Sequence, residues 1–230
     1  MKQAEILIIT GGSSGLGLEI IRQALERGLY VCNLARNEQK MKELDDEFPE
    51  NYKGFIGDIT DEEFISNSIK EIASFGNIKY LVNNAQKSCF KNPTEYTSSD
   101  IEISLGGLKG MILCSAKTLE IKKEQDVKII NIMSSAALKG NNQEALYCAT
   151  KWGERGYTES LKTTYKGTSV KVIGVYPGGM NTEFWEDSRD YVSDEKSNTF
   201  MNPKDVATVI LDAVLSHKNV NIADIMIERN

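Results

Sequence analysis

The chain has 230 residues and a mass of 25.6 kDa; 40% of the residues are hydrophobic, 26% are charged, and the net charge is -6 with a pI near 5.1. That length suits a single domain over residues 1–230, and the composition excludes disordered and low-complexity classes. The acidic balance speaks against nucleic acid or an anionic membrane as partner, because phosphate binding needs clustered Lys and Arg.

Taken in chain order, apolar runs predict seven strands, at Glu5–Ile9, Tyr30–Leu34, Tyr52–Ile56, Ile78–Asn83, Val127–Met133, Val170–Tyr176 and Asn221–Ile227. Helical periodicity lies between them, as in Leu16, Ile20, Ile21, Ala24 and Leu25 after the first strand. Ser98–Lys123 and Glu144–Lys166 predict the two longest helices, and Pro203 opens the last one with Asn202 as its N-cap. Strands that alternate with helices predict a Rossmann-like, doubly wound α/β fold: a seven-stranded parallel sheet with helices on both faces. None of the apolar runs approaches the roughly 18 residues of a membrane span, and Met1 to Glu5 lead straight into a strand, so a cytoplasmic protein is expected.

The long irregular stretch runs from Pro177 to Asn202. Within it, 183–201 carries Phe184, Trp185, Tyr191 and Phe200, six acidic residues, and only Arg189 and Lys196 as cations. A local charge of -4 and four aromatic rings on a rigid scaffold suggest a lid over a ligand pocket, with a packed surface excursion as the bland alternative.

The chemistry has to come from few residue types. His217 is the single histidine, placed by pattern near a helix C-terminus, and Cys32, Cys89, Cys114 and Cys148 form no C-x-x-C pair, so no metal site is expected and the cysteines are expected as reduced thiols. Cys148 has no evident neighbouring base to make it a nucleophile, and Asp45, Asp46 and Glu47 look like a solvated helix end. Thr10-Gly11-Gly12-Ser13-Ser14-Gly15-Leu16-Gly17 lies between a strand and an amphipathic helix. Glycines there permit a tight turn and close backbone approach to a pyrophosphate, which the helix N-terminus attracts. Tyr147 and Lys151 are four residues apart and share a helix face, where a cation can favour phenolate in a side chain whose free pKa is about 10. Taken alone, that spacing also describes an ordinary helix surface. Ser134 stands at the end of the fifth strand, where an open α/β sheet gathers its ligand groups; the adjacent Ser135 is the alternative.

The glycine loop, Asn83-Asn84-Ala85, Asn131 with Ser134, Tyr147-Cys148-Ala149-Thr150-Lys151 and Pro177-Gly178-Gly179-Met180-Asn181-Thr182 occur in an order that resembles the short-chain dehydrogenase/reductase family from Thr10 to Thr182. The resemblance implies an oxidoreductase in which Ser134, Tyr147 and Lys151 are catalytic. It implies nucleotide contacts from Gly11, Ser13, Ser14, Gly15, Leu16, Gly17, Asp58, Ile59, Asn84, Ala85, Tyr147, Lys151, Pro177, Gly178 and Thr182. Lys151 would hold the nicotinamide ribose, and Asp58 would touch the adenine ring. Leu34-Ala35-Arg36-Asn37 ends the second strand without the carboxylate that would accept the adenosine ribose of NAD, so Arg36 points to NADP(H), with NAD(H) as the lesser choice.

Two positions depart from the family pattern. Gly107 stands where the family has an asparagine that helps hold a proton-relay water, with Ser104 as the nearby polar residue, and Gln86 replaces the glycine after Asn83-Asn84-Ala85. The expected function is NADP(H)-dependent interconversion of a carbonyl and an alcohol, with an apolar or aromatic substrate. A homodimer or homotetramer built through the two long helices is implied by the resemblance. The alternative is a nucleotide-binding regulatory or scaffold protein of the same fold with little turnover.

Overall fold

The structure is a computed structural model that describes residues 4–123, 125–188, 199–215 and 220–229. Its strands are β1 (Glu5–Thr10), β2 (Tyr30–Ala35), β3 (Tyr52–Ile56), β4 (Asn77–Asn83), β5 (Val127–Ile132), β6 (Val170–Pro177) and β7 (Asp224–Ile227). Its helices are α1 (Gly15–Glu26), α2 (Glu38–Glu47), α3 (Glu62–Phe75), α4 (Ser98–Lys122), α5 (Ala145–Thr164) and α6 (Pro203–Leu215). The strands form one parallel sheet in the order β3-β2-β1-β4-β5-β6-β7. The chain therefore reverses direction across the sheet between β1 and β4, and a crevice opens there at the strands' carboxyl ends.

Side-chain alternation in β1 shows why both faces must be covered. Leu7 and Ile9 enter one core with Ile20 and Ala24 of α1 and Val206 and Ile210 of α6, whereas Ile6 and Ile8 enter the other with Ile65, Ile69 and Ile72 of α3. All of these side chains are buried, and each Leu, Ile or Val among them contributes roughly 1.5–3 kcal/mol. α4 is built in the opposite sense from an amphipathic surface helix. Its inward positions are Ser104, Gly107, Gly110, Cys114, Ser115 and Thr118, which let it lie close to its neighbours, and Ile101, Ile103, Leu105 and Ile112 are left exposed.

The predicted elements are all present, with shifted ends. The last strand starts at Asp224 rather than Asn221, because β6 pairs with it only from Gly174 to Pro177. Glu144 is the N-cap of α5 rather than its first helical residue. Asn202 caps α6 as expected: its Oδ1 accepts from Lys204 N–H at 2.9 Å and its carbonyl accepts from Val206 N–H at 3.3 Å. Of the carboxylates read as a solvated face, Asp46 and Glu47 are exposed, Glu47 in a surface pair with Arg22, whereas the half-buried Asp45 accepts from Gly54 N–H at 3.1 Å. No described helix is long and apolar enough to cross a membrane. His217, and 189–198 of the expected lid with Arg189, Tyr191 and Lys196, lie outside the described residues.

Candidate active site

A cleft of about 1020 Å³ opens at the carboxyl ends of the strands, and every site residue expected from the sequence lines it. Its floor is the loop from Thr10 to Gly17. Gly11 has φ +67°, and a Cβ there would lie 2.7 Å from the Cα of Ala85; a Cβ on Gly17 would lie 2.5 Å from the Gly11 carbonyl. Only glycine leaves this backbone edge bare. Thr10 Oγ1 accepts from the N–H groups of Asn84 and Ala85 at 3.0 and 3.1 Å, and Asn84 Nδ2 donates to the carbonyls of Thr10 and Gly11, each at 3.1 Å. The end of β4 thus fixes the loop's shape. Ser14, the N-cap of α1, makes no side-chain bond to the first-turn amides, so those donors face the cleft. Bare backbone, open amides and a helix N-terminus suit a pyrophosphate, and the residues present fit a dinucleotide.

Arg36 follows β2 with its side chain 67% exposed, and its sole ion pair among the described residues is a long one of 3.7 Å to Asp58. Burial works against ionisation of Asp58, but bonds from the Thr60 N–H and hydroxyl, with Arg36 and Lys109 nearby, hold its carboxyl below the ordinary range. On the facing side, Thr182 packs against Gly15, Ile59 packs on Gly110, and Gly178 N–H donates to Ile227 at 2.8 Å, which anchors the segment after β6.

The other end of the cleft holds Ser134, Tyr147 and Lys151 together. Ser134 Oγ accepts from Ala136 N–H at 3.1 Å and caps a single 3-10 turn after β5. Ser134 is the serine whose hydroxyl acts on the Tyr147 phenol, which favours it over Ser135 as the residue facing the tyrosine. Burial pushes the Tyr147 phenol well above its usual range; the nearby Ser134 hydroxyl opposes this, and the charges of Glu154 and Glu144 add to it. Lys151 Nζ is 5.7 Å from the centre of the Tyr147 ring. It donates to Glu154 Oε2 at 2.8 Å and to the Ile132 carbonyl at 3.3 Å, both on the interior side. Behind them Asn83 Nδ2 donates to Asn131 Oδ1 at 2.8 Å, and Asn131 Nδ2 donates to Thr158 Oγ1 at 2.9 Å, so β4, β5 and α5 are stitched at this level.

Sequence reasoning missed three features. Glu154 looks like an ordinary i,i+3 charge, and only its burial reveals the pair with Lys151. Gln86 and Gly107 look like separate departures in the sequence, yet they are one arrangement: a Cβ on Gly107 would lie 1.9 Å from Gln86 Oε1. The Gln86 amide fills the space over Gly107, and its Nε2 donates to Ser104 O at 3.0 Å and Lys87 O at 2.6 Å. A larger residue at one position with a smaller one at the other was the available signal. The third is Phe90, whose ring lies 5.5 Å from Tyr147 and 5.8 Å from Phe184. Trp185 and Phe200 continue this aromatic wall, and Trp185 Nε1–H donates to the Met180 carbonyl at 3.0 Å. Glu183 is held by Lys40 of α2 at 2.9 and 3.0 Å, which ties this turn to the opposite rim.

Comparison with known proteins agrees with this arrangement. The profile of the short chain dehydrogenase family matches residues 5–192. An uncharacterised oxidoreductase of Staphylococcus epidermidis is 26% identical over 226 residues, covering 97% of this chain and 96% of its own. Among solved structures, a short-chain dehydrogenase/reductase from Vibrio parahaemolyticus is 30% identical with a TM-score of 0.85, covering 97% of this chain and 99% of the other. The closed form of a serine dehydrogenase complexed with NADP+ is 27% identical with a TM-score of 0.88, covering 96% and 94%. With the glycine loop, the Tyr147 and Lys151 pair and the sheet order in place, the chain belongs to the short-chain dehydrogenase family and is an oxidoreductase of that family.

Proposed function

We propose that this oxidoreductase uses NADP(H) to interconvert a carbonyl and an alcohol, with Tyr147 as proton donor in the reductive direction. One observation carries the reading: the Tyr147 phenol is buried close to Lys151, and both line with Ser134 the cleft that the glycine loop floors at the open end of the sheet. When bound, NADPH supplies a hydride to the carbonyl carbon. Ser134 holds the carbonyl oxygen by its hydroxyl, and Tyr147 delivers its proton to that oxygen as charge develops there. Lys151 uses two of its three N–H donors on Glu154 and Ile132, and the third serves the nicotinamide ribose. Gly11 to Gly17 hold the pyrophosphate by backbone N–H groups.

Arg36 takes the 2′-phosphate: it is largely exposed beside the end of β2, where the chain offers no carboxylate to a ribose. The segment 183–201 acts as a lid. Phe90, Phe184 and Trp185 favour a substrate with an apolar or aromatic flank. Residues 1–230 act as one domain, and the exposed Ile101, Ile103, Leu105 and Ile112 of α4, with Trp152 of α5, support a homodimer or homotetramer through the two long helices.

The test is NADPH oxidation against a panel of ketones, aldehydes and quinones, with Tyr147→Phe as control. Turnover that disappears in Tyr147→Phe while NADPH binding persists is the expected result. Tight NADPH binding with no Tyr147-dependent turnover on any panel member overturns the enzymatic reading in favour of a nucleotide-binding scaffold.

A further inference from the structure

Lys151 and Glu154 form a buried ion pair directly behind Tyr147, with side chains 3% and 1% exposed and Nζ 2.8 Å from Oε2. Its electrical consequence is simple. Whichever of the two atoms holds the shared proton, the pair carries no net charge, so the lysine has little left with which to favour phenolate at Tyr147. Sequence spacing suggested the reverse, a lysine whose full charge acts on the tyrosine.

We propose that Glu154 is a positioning residue that holds the Lys151 ammonium to the interior and keeps Tyr147 a protonated phenol, so that the proton donor stays loaded into the alkaline range. This rests on the proposed role of Tyr147 as proton donor. The groups facing Tyr147 leave Glu154 as the decisive one. From its own helix these are Lys151, Glu154, Cys148 and, at the N-cap, Glu144. The segment after β5 brings Ser134 and Lys139, whose charge lies in the same cleft. The loop that carries Phe90 brings Lys87 and Lys91, the latter held by Asp100 at 2.8 Å. The turn that carries Phe184 brings Glu183, which is committed to Lys40. Among the described residues, Lys151 is the cation over the Tyr147 ring, and Glu154 is the carboxylate that neutralises it. Burial raises the Glu154 carboxyl and its pairing with Lys151 lowers it, so each member of the pair depends on the other.

Glu154→Gln is the informative change, because it removes the charge while keeping the size and an acceptor for Lys151. The protein is labelled with 13C at the tyrosine Cζ, and the Tyr147 resonance is assigned by its loss in Tyr147→Phe. Titration then reports the ionisation of Tyr147 without any substrate or turnover. The wild-type midpoint is expected at or above the free value of about 10, with a fall of at least about one pH unit in Glu154→Gln. Glu154→Asp, which keeps the charge, is expected to restore the wild-type midpoint. On whichever panel carbonyl is turned over, the alkaline fall-off in reduction should move down by the same interval. A wild-type midpoint below about 9, or equal midpoints in wild type and Glu154→Gln, overturns the proposal. The first of these holds even if the variant fails to fold. Absence of turnover with the expected titration counts against the enzymatic reading and leaves the role of Glu154 in Tyr147 ionisation standing.

Discussion

Gly107→Ala separates a packing explanation of Gln86 from coincidence. A methyl at 107 would stand 1.9 Å from Gln86 Oε1, 2.8 Å from its Cδ and 3.1 Å from the Ala85 carbonyl. The amide has to leave, and with it go its bonds to Ser104 O and Lys87 O. Two such bonds contribute about 1–3 kcal/mol together. Against that, alanine in place of a mid-helix glycine gains about 1 kcal/mol. The single change is therefore expected to be neutral or to destabilise by up to about 2 kcal/mol. In a Gln86→Ala background the amide is absent, Thr150 Oγ1 still bonds Ser104 O at 3.2 Å, and the same substitution is expected to stabilise by about 1 kcal/mol. Urea unfolding of wild type, the two single variants and the double variant measures this coupling, with m held constant as the sign that only stability changed. Effects that add to within about 0.5 kcal/mol would show that Gln86 does not occupy the space over Gly107.

Arg36→Ala should weaken NADPH binding by roughly ten- to a hundredfold, the size of a charge-assisted bond, and leave NADH binding unchanged; calorimetric titration with both nucleotides decides it, and an equal loss for both removes Arg36 from the 2′-phosphate. Gly11→Ala meets the backbone of Ala85 at 2.7 Å in a left-handed conformation, so a rotamer change cannot relieve it; a loss of about 1–3 kcal/mol in urea unfolding is expected, together with loss of NADPH binding. Phe184→Ala should raise KM for aromatic ketones several-fold, in line with ring contacts of about 0.5–1.5 kcal/mol, with little change for small aliphatic ones; equal changes for both would show that the ring does not contact the substrate. Cys32 and Cys114 are buried, and burial pushes both thiols up to about 12, whereas Cys89 is half-buried. Brief iodoacetamide treatment of the native protein, read by mass spectrometry, should modify Cys89 first, and early labelling of Cys114 would contradict its burial.

The parts of the site legible in the sequence are those whose physics is local. Gly11 has to be glycine because of a backbone angle, which follows from a strand that turns at once into a helix, whereas its close approach to Ala85 comes only with the fold. Tyr147 and Lys151 share a helix face at any burial. The sheet was legible because seven apolar runs alternate with helical periodicity, although the start of the last strand was not, since β6 alone determines where it is paired. What could not be read are relations between distant segments. Asp45 looks solvated until β3 brings Gly54 to it, and the exposed Glu47 has no visible partner in the sequence until α1 brings Arg22. Gln86 is 21 residues from Gly107, and neither position signals the other without the fold. Glu154 is three residues from Lys151, yet the sequence does not say that this face of α5 is closed off.

These non-local partners bear on which substrates can reach the proton donor. The sequence shows a -4 charge on 183–201, which suggests a negative barrier at the mouth of the cleft. In the structure the Glu183 carboxylate is taken up by Lys40, Lys151 is taken up by Glu154, and the surfaces nearest Tyr147 are the rings of Phe90 and Phe184. On the proposed reading, the wall next to the donor offers the hydroxyls of Ser134 and Tyr147 as its polar handle, while Lys87, Lys139 and Glu144 also line the cleft. A neutral carbonyl entering it gives up little solvation beyond its oxygen, which those hydroxyls replace. A carboxylate placed against the same rings would lose hydration that Phe90 and Phe184 do not replace. The proposed selectivity, for neutral carbonyls with an apolar flank, therefore rests on the rings of Phe90 and Phe184 beside the donor.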